Sequence, residues 1–397
     1  GMERWEGCYT MKDLKIFAKT IEPQAQAQID LLLAQKPFED CKVRIMPDVH
    51  AGAGCVIGFT ANLGDKVIPN IVGVDIGCGM LTVNLGPIEI DYAKLDDVIR
   101  KYIPSGMAVH QNAGYFTLLD DLYCRDRLRN VEWLHNSVGT LGGGNHFIEI
   151  DAGEDGNKYL IIHTGSRNLG KQVAEIYQDI AVKTLHSAKG ERAALIERLK
   201  AEGRESEISE KLSRLKVKST IPRDLCYVEG EDRERYLHDM RICQQFARFN
   251  RSRISQVIMQ RMGWLPFDRF ETVHNYIDEW GMVRKGAICA AAGKIVLIPI
   301  NMKDGCIIGR GLGNSDWNES APHGAGRLMS RAKAKASIPM EDYRAAMEGI
   351  YTTSVCRNTL DEAPQAYKPM DEILSCISDT VTVLQIIKPV YNFKAGD

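Results

Sequence analysis

The chain has 397 residues, 44% of them apolar and 26% charged, with a formal net charge of −2. This composition describes a soluble globular protein with a large core, arranged as one big domain with insertions or as two domains. It excludes a membrane-spanning helix, because no stretch approaches about 18 consecutive apolar residues, and it supplies no overall positive field, so a nucleic-acid contact needs a local basic patch.

Eleven cysteines are scattered without a CxxC pair, and Gly1-Met2-Glu3-Arg4 carries no signal-peptide pattern. Both lead to the expectation of reduced thiols in a cytoplasmic protein, with Gly1 as a cloning remnant.

In chain order, residues 14–18 read as a short strand and 22–34 as a helix with Ile29, Leu31, Leu32 and Leu33 inward. Residues 43–46 form a strand that runs into Pro47-Asp48-Val49-His50 and a glycine-dense turn over 51–58. Asp48 and His50 read either as a site edge or as a turn cap and a structural histidine, and His50 and Cys55 are taken as structural. Residues 71–74 are an apolar strand candidate delivering Gly73-Val74-Asp75-Ile76-Gly77-Cys78-Gly79-Met80. There a carboxylate and a thiol stand three residues apart among glycines. That mixed pair suits a borderline divalent ion such as zinc or manganese; a capping aspartate and a core cysteine are the bland alternative.

Helices are expected over 91–102 and most of 116–138. Next, Gly142-Gly143-Gly144 cost backbone entropy and bury nothing, yet suit a backbone that approaches a phosphate or metal with its N–H groups forming a nest. Asn145 and His146 then lead onto a strand over 147–150, whose alternation puts His146 and Ile148 on one face and Phe147 and Glu149 on the other. A third apolar strand, 159–163, ends on His163 and is followed by Thr164-Gly165-Ser166-Arg167, hydroxyls and a cation suited to phosphate. Three apolar strands thus each end in a candidate ligand and a glycine turn.

From 171 to 262 the pattern becomes helical: 172–188, a charged exposed hairpin over 191–216 whose default reading is a solvated face, and an amphipathic helix over 232–262 with Phe246, Phe249, Ile254, Val257 and Ile258 inward. His274-Asn275 follows another short apolar segment, and 295–300 reads as a strand. His323, between Pro322 and Gly324, stands at the entry of an expected helix, exposed as a nucleophile must be. Arg327, Arg331, Lys333 and Lys335 place cations on that helix for phosphate. A helix over 371–378 and a strand over 381–387 precede the terminal Lys394.

Five segments in order resemble the RtcB family: the Asp75–Cys78 glycine turn, Gly142 to Phe147, His163-Thr164-Gly165-Ser166-Arg167, His274-Asn275 and His323-Gly324-Ala325-Gly326-Arg327. The resemblance runs from Met46-Pro47-Asp48-Val49-His50 to Lys394. It implies an α+β fold with sheets around a central metal cleft, helices outside and a projecting helical region. One catalytic domain would cover 2–397, with 171–262 as an insertion-like helical part. The family's activity is joining an RNA 3′-phosphate or 2′,3′-cyclic phosphate end to a 5′-hydroxyl end with GTP and manganese, for tRNA splicing or RNA repair and with no membrane partner.

Carried onto this chain, the resemblance implies that Asp75, Cys78, His146, His163 and His274 hold two Mn2+ ions bridged by Cys78, with Zn2+ or another divalent ion able to substitute. His323 would take GMP from GTP with loss of pyrophosphate, then pass it to an RNA 3′-phosphate, and the 5′-hydroxyl would displace GMP. Asn145 would touch the phosphate, Phe147 and Glu149 the guanine, Lys394 the nucleotide, and Asn275, Arg167, Arg327 and Arg331 phosphate or RNA. The alternative is a manganese-dependent phosphohydrolase, such as a cyclic phosphodiesterase, which needs no guanylylated histidine. The chain departs from the family at Ile300-Asn301-Met302-Lys303-Asp304-Gly305, where a Gly-Ser-Met-Gly-Thr loop is usual, and at 51–55, which lacks the usual aromatics. These departures suggest a divergent bacterial-type branch.

Overall fold

The computed structural model describes residues 13–215 and 220–395; Cys8, the chain start and the Lys216 end of the charged hairpin lie outside them. The first third holds β1 (Leu14–Ile16), α1 (Pro23–Leu33), β2 (Val43–His50), β3 (Ile57–Asn62), α2 (Pro69–Val72), β4 (Gly79–Gly86), α3 (Tyr92–Tyr102) and α4 (Val131–Asn136). The middle holds β5 (Phe147–Ala152), β6 (Lys158–Thr164), α5 (Arg167–Leu185), α6 (Ala188–Ala201), α7 (Ile208–Arg214) and α8 (Gly230–Met262). Then come β7 (Asp268–Val273), β8 (Asn275–Ile277), β9 (Met282–Lys285), β10 (Ala287–Cys289), β11 (Ile295–Asn301), β12 (Gly305–Gly311) and β13 (Ser320–Pro322). The chain closes with α9 (Arg331–Ser337), α10 (Met340–Ala346), α11 (Met370–Leu374) and β14 (Val381–Lys394).

The fold is α+β. Seven antiparallel strands run in the order β11-β12-β14-β5-β6-β4-β7. Leu297 N–H on one edge strand donates to Thr272 Oγ1 on the other at 3.4 Å, so the sheet nearly closes into a barrel. Strand alternation sorts the side chains of this sheet. Leu81, Val83, Ile148, Ile150, Leu160 and Ile162 point outward into one core with Ile254 and Ile258 of α8. Met80, Phe147, Tyr159 and Ile161 fill the barrel interior, and the same parity sends His163, Glu149 and Asp151 inward.

A second sheet, β1-β2-β3-β9-β8, is parallel only at β1–β2. Its core joins Ile45 and Phe59 to Ile29 and Leu32 of α1, Val173 and Tyr177 of α5, and Phe246 of α8. The two sheets meet at His274, the single residue between β7 and β8. Its N–H donates to Cys78 O at 2.9 Å, and its own carbonyl accepts from Gly286 N–H at 2.7 Å. The cleft opens at this junction.

Several local expectations change. The strand expected over 71–74 is absent: residues 69–72 form a short helix, opened by Pro69 at its first position, where the missing N–H costs nothing. Leu31 and Phe249 are exposed, each on the outer side of its helix. The stretch 116–138 holds only two short 3-10 turns and α4, because the buried Asp239 carboxylate accepts from Tyr123 and Cys124 N–H and draws the backbone out of helical pairing. β14 extends beyond the expected strand to Lys394, its register shifting at Pro389, a residue with no N–H to give the ladder. Within 171–262, α5 and α8 belong to the core, while α6 and α7 have mostly exposed residues. Among the described residues, no helix is long and apolar enough to cross a membrane.

Gly79 opens β4 where a Cβ would stand 2.6 Å from Thr272 O and 2.8 Å from Val273 Cα. Both are backbone atoms of a paired strand and cannot turn aside. Gly79→Ala is therefore expected to cost about 1–3 kcal/mol, read as a lower denaturant midpoint at unchanged slope.

Candidate active site

The metal-type residues are placed by α8. Arg251, 1% exposed, donates Nη1–H to Gly77 O at 2.8 Å and Thr164 O at 2.9 Å, the carbonyls beside Cys78 and His163. Its neighbour Asn250 holds the second glycine turn: Nδ2 donates to Thr140 O (3.0 Å) and Gly165 O (3.1 Å), and Oδ1 accepts from Gly139 N–H (2.7 Å). Gly142 turns here with φ +80°, and a Cβ would meet Arg167 Nη1 at 1.9 Å. Arg167 is thus packed behind this turn, donating to Thr140 Oγ1 and Gly106 O, and is not among the residues that line the cleft.

Cys78 Sγ lies 3.3 Å from His163 Nε2 and 3.5 Å from His146 Nε2, and one donor atom from each residue falls within 4.8 Å of the others. Both rings are oriented from behind: His146 Nδ1 bonds Leu141 O at 2.9 Å and His163 Nδ1 bonds Asn145 O at 3.1 Å. A Nδ1–H engaged this way leaves the Nε2 lone pair for a ligand. Burial, then neighbouring histidines, keep the His163 and His274 rings from protonating, and burial does the same for His146. Burial and the Asp75 charge push the Cys78 thiol up. A neutral imidazole pair around a reluctant thiol is a donor set that a divalent cation would complete. Asp75, exposed at the cleft, and His274 face the same space without joining the tight trio.

The histidines continue as a row, with ring centroids 5.0 Å apart for His146–His163, 5.2 Å for His163–His274 and 4.8 Å for His274–His323. His323 is neither in a helix nor freely exposed. It follows β13 in a loop, and α9 begins only at Arg331. Its side chain is 18% exposed, with Nδ1 2.7 Å from Asp48 Oδ2. Asp48 is fully buried, and its Oδ2 also accepts from Gly324 N–H at 3.2 Å. The open alternative for Asp48 is thereby resolved: it backs His323. His50 borders the cleft, its Nδ1 on Asp48 O at 2.8 Å. Cys55 is a core thiol pushed up to about 12 by burial.

A cavity of about 770 Å³ opens onto this row, a size suited to a nucleotide. Asn145, Phe147, Glu149, Asn275 and Lys394 line it, with Lys394 paired to Phe147 and Asn392 to Glu149 in register. Glu362 and Tyr367, which sequence reasoning missed, close that end. Lys394 Nζ is 2.9 Å from Glu362 Oε2, Tyr367 O–H donates to the same oxygen, and Arg331 pairs with Glu362 and, at 2.7 Å, with Asp361. Arg327 lines the cleft too and lies 3.5 Å from Glu362. No motif surrounds Glu362 in sequence; only the loop carrying it to Lys394 reveals it. The departing turn at 300–305 borders the cleft, yet its polar groups serve the turn itself: Asn301 Oδ1 accepts from Lys303 and Asp304 N–H at 2.8 and 2.7 Å.

The chain is thus an α+β protein with a thiol–imidazole metal-type cluster beside a carboxylate-backed histidine. The family model "tRNA-splicing ligase RtcB" matches residues 31–124 and 123–395. The chain is 30% identical to the RNA-splicing ligase RtcB of Escherichia coli K12, over 95% of this chain and 96% of that protein. It is 27% identical to the tRNA-splicing ligase RtcB of Aeropyrum pernix, over 83% of this chain and 82% of that one, and 26% identical to the RNA-splicing ligase RtcB of Mycobacterium tuberculosis, over 83% and 90%. The chain belongs to the RtcB family.

Burial opposes ionisation of Glu362, but Lys394 and Arg331 win and hold its carboxyl at about 2 against the usual 4.5. A carboxylate lowered in the folded state adds stability that is full above about pH 4.5 and lost as pH falls towards 2. Glu362→Gln should therefore cost on the order of 3 kcal/mol at pH 7 and flatten the acid limb of a stability–pH curve within that window.

Proposed function

We propose that this protein is an RNA ligase that uses GTP to join a 3′-phosphate or 2′,3′-cyclic phosphate end to a 5′-hydroxyl end. The observation that carries the reading is His323, one ring away from the Cys78–His146–His163 cluster through His274 and backed by buried Asp48. A phosphohydrolase with the same metal ligands would use such a histidine only as a proton carrier, without a covalent nucleotide on its ring, and that difference is what labelling and joining assays read.

The residues fit a divalent ion. Cys78, His146 and His163 would hold it, with Asp75 and His274 as further ligands, and manganese, or zinc in its place, would offset phosphate charge and align phosphate oxygens. With Nδ1 turned to Asp48, the Nε2 of His323 is the free nitrogen, so it attacks the α-phosphorus of GTP and pyrophosphate leaves. Asp48 holds the ring and stabilises the charge it gains, as a buried carboxylate does behind a catalytic histidine. Phe147, Glu149 and Lys394 take the guanine end, Asn145 and Asn275 the phosphate, and Arg327 and Arg331 the RNA. Arg167, packed behind Gly142, supports the turn that carries Asn145. Water first opens any 2′,3′-cyclic phosphate to a 3′-phosphate with a free 2′-hydroxyl; the 3′-phosphate oxygen then takes GMP from His323, and the 5′-hydroxyl attacks that activated end and releases GMP. Transfer RNA splicing and RNA repair are both served by this chemistry, in the cytoplasm.

The test is ligation of RNA carrying a 2′,3′-cyclic phosphate to RNA with a 5′-hydroxyl, given GTP and Mn2+. The wild type should join them, His323→Ala should not, and Asp48→Asn should slow joining by about 10²–10⁴-fold, the scale of losing an orienting carboxylate. A wild type that opens the cyclic phosphate without ever joining ends would make the chain a phosphohydrolase.

A further inference from the structure

The barrel interior holds a group of acidic side chains of which the ligase reading uses only Glu149. Glu149 and Asp151 stand on one face of β5, and Cys306 faces them from β12 across β14. One carboxylate oxygen of each acid and Cys306 Sγ lie within 4.8 Å of one another, and all three residues are buried. None of them belongs to the Cys78 trio.

Two buried side chains in and beside this group have acceptors that no outside donor reaches among the described residues. Asp151 is 0% exposed, and no donor outside the group reaches either carboxylate oxygen among the described residues. Asn392, also 0% exposed, donates Nδ2–H to Glu149 Oε1 at 2.9 Å, while its own Oδ1 has no donor among the described residues. Lys394, the cation on the same face, is committed to Glu362. Acceptors facing acceptors in a dry volume repel unless a positive charge sits among them. Burial holds all three acids back from ionising, Glu149, Asp151 and Cys306 alike, and a bound cation displaces such protons.

We propose that Glu149, Asp151 and Cys306 form a second divalent-cation site inside the barrel, separate in its ligands from the Cys78 cluster. One thiolate beside two carboxylates selects a borderline ion of the zinc kind over magnesium or calcium. Its ligands come from β5 and β12, on either side of β14, so the ion ties those strands together. Glu149 also lines the cleft, and the ion therefore fixes a carboxylate at the nucleotide end. The site stands or falls independently of RNA ligation.

Cobalt separates this site from the Cys78 cluster. The full-length Cys78→Ala protein, stripped of metal, is titrated with Co2+ and followed for a thiolate-to-cobalt absorption. The expected result is a band that saturates at about one equivalent with the visible spectrum of tetrahedral cobalt. Adding Cys306→Ser should abolish it, and adding Asp151→Asn, an isosteric change that keeps the thiol, should weaken binding at least about tenfold; circular dichroism checks folding of each. Metal analysis of the Cys78→Ala protein as purified should find zinc that Cys306→Ser lacks. No thiolate band, or a band indifferent to both changes, would overturn the proposal and leave protons as what neutralises these acids.

Discussion

A buried guanidinium decides where the metal-type residues stand. Arg251 bonds the carbonyls of Gly77 and Thr164 from inside the protein, and those two residues precede Cys78 and follow His163. Losing that cation would leave two carbonyls buried without partners, a cost that charged hydrogen bonds otherwise prevent. Asn250, the preceding residue, does the same for the turn before His146. Two adjacent residues of one helix therefore set three loops against each other. The site owes its precision to a core helix spanning both hydrophobic cores, while its ligands sit on strand ends and turns.

From this frame the chemistry follows in layers. Backbone carbonyls of Leu141 and Asn145 fix the two imidazoles whose Nε2 atoms converge on Cys78. The row of rings then leads through His274 to His323, and there a carboxylate replaces the carbonyl as the orienting partner. That exchange changes the role. A carbonyl leaves a neutral ring suited to a cation, whereas a carboxylate supports a ring that gains charge as it is alkylated or phosphorylated. Cations beyond it, on Lys394, Arg327 and Arg331, meet the carboxylate of Glu362, which keeps that end of the cleft from being an unbalanced positive pocket.

Much of this was legible in the sequence because local patterns carried it. Glycine-rich turns marked Cys78, His146 and His163, although the segment before Cys78 is a helix and the turn at 142–144 precedes its strand, and alternation along 147–150 correctly separated Ile148 from Glu149. The long helix was legible too, but its polar contribution was not. Arg251 and Asn250 sit among charged residues whose ordinary fate is solvent, and only tertiary packing turns them inward. Asp48 was visible as one of two readings, since its partner lies 275 residues away in the chain. Glu362 had no local signal at all. The strand expected at 71–74, where a helix over 69–72 stands, and the lost helix at 116–138 share a cause: apolar periodicity is blind to a proline at a first turn and to a carboxylate, Asp239, that captures backbone N–H groups.

The central claim is that His323 is the nucleophile of a nucleotidyl transfer beside the Cys78 cluster. The direct measurement is covalent labelling with α-labelled GTP and Mn2+, followed by denaturing electrophoresis and peptide mapping. The account predicts one acid-labile, base-stable label on the peptide containing His323, absent in His323→Ala. A folded, metal-loaded wild type that takes no label from GTP or ATP, or a label on another residue, would contradict it.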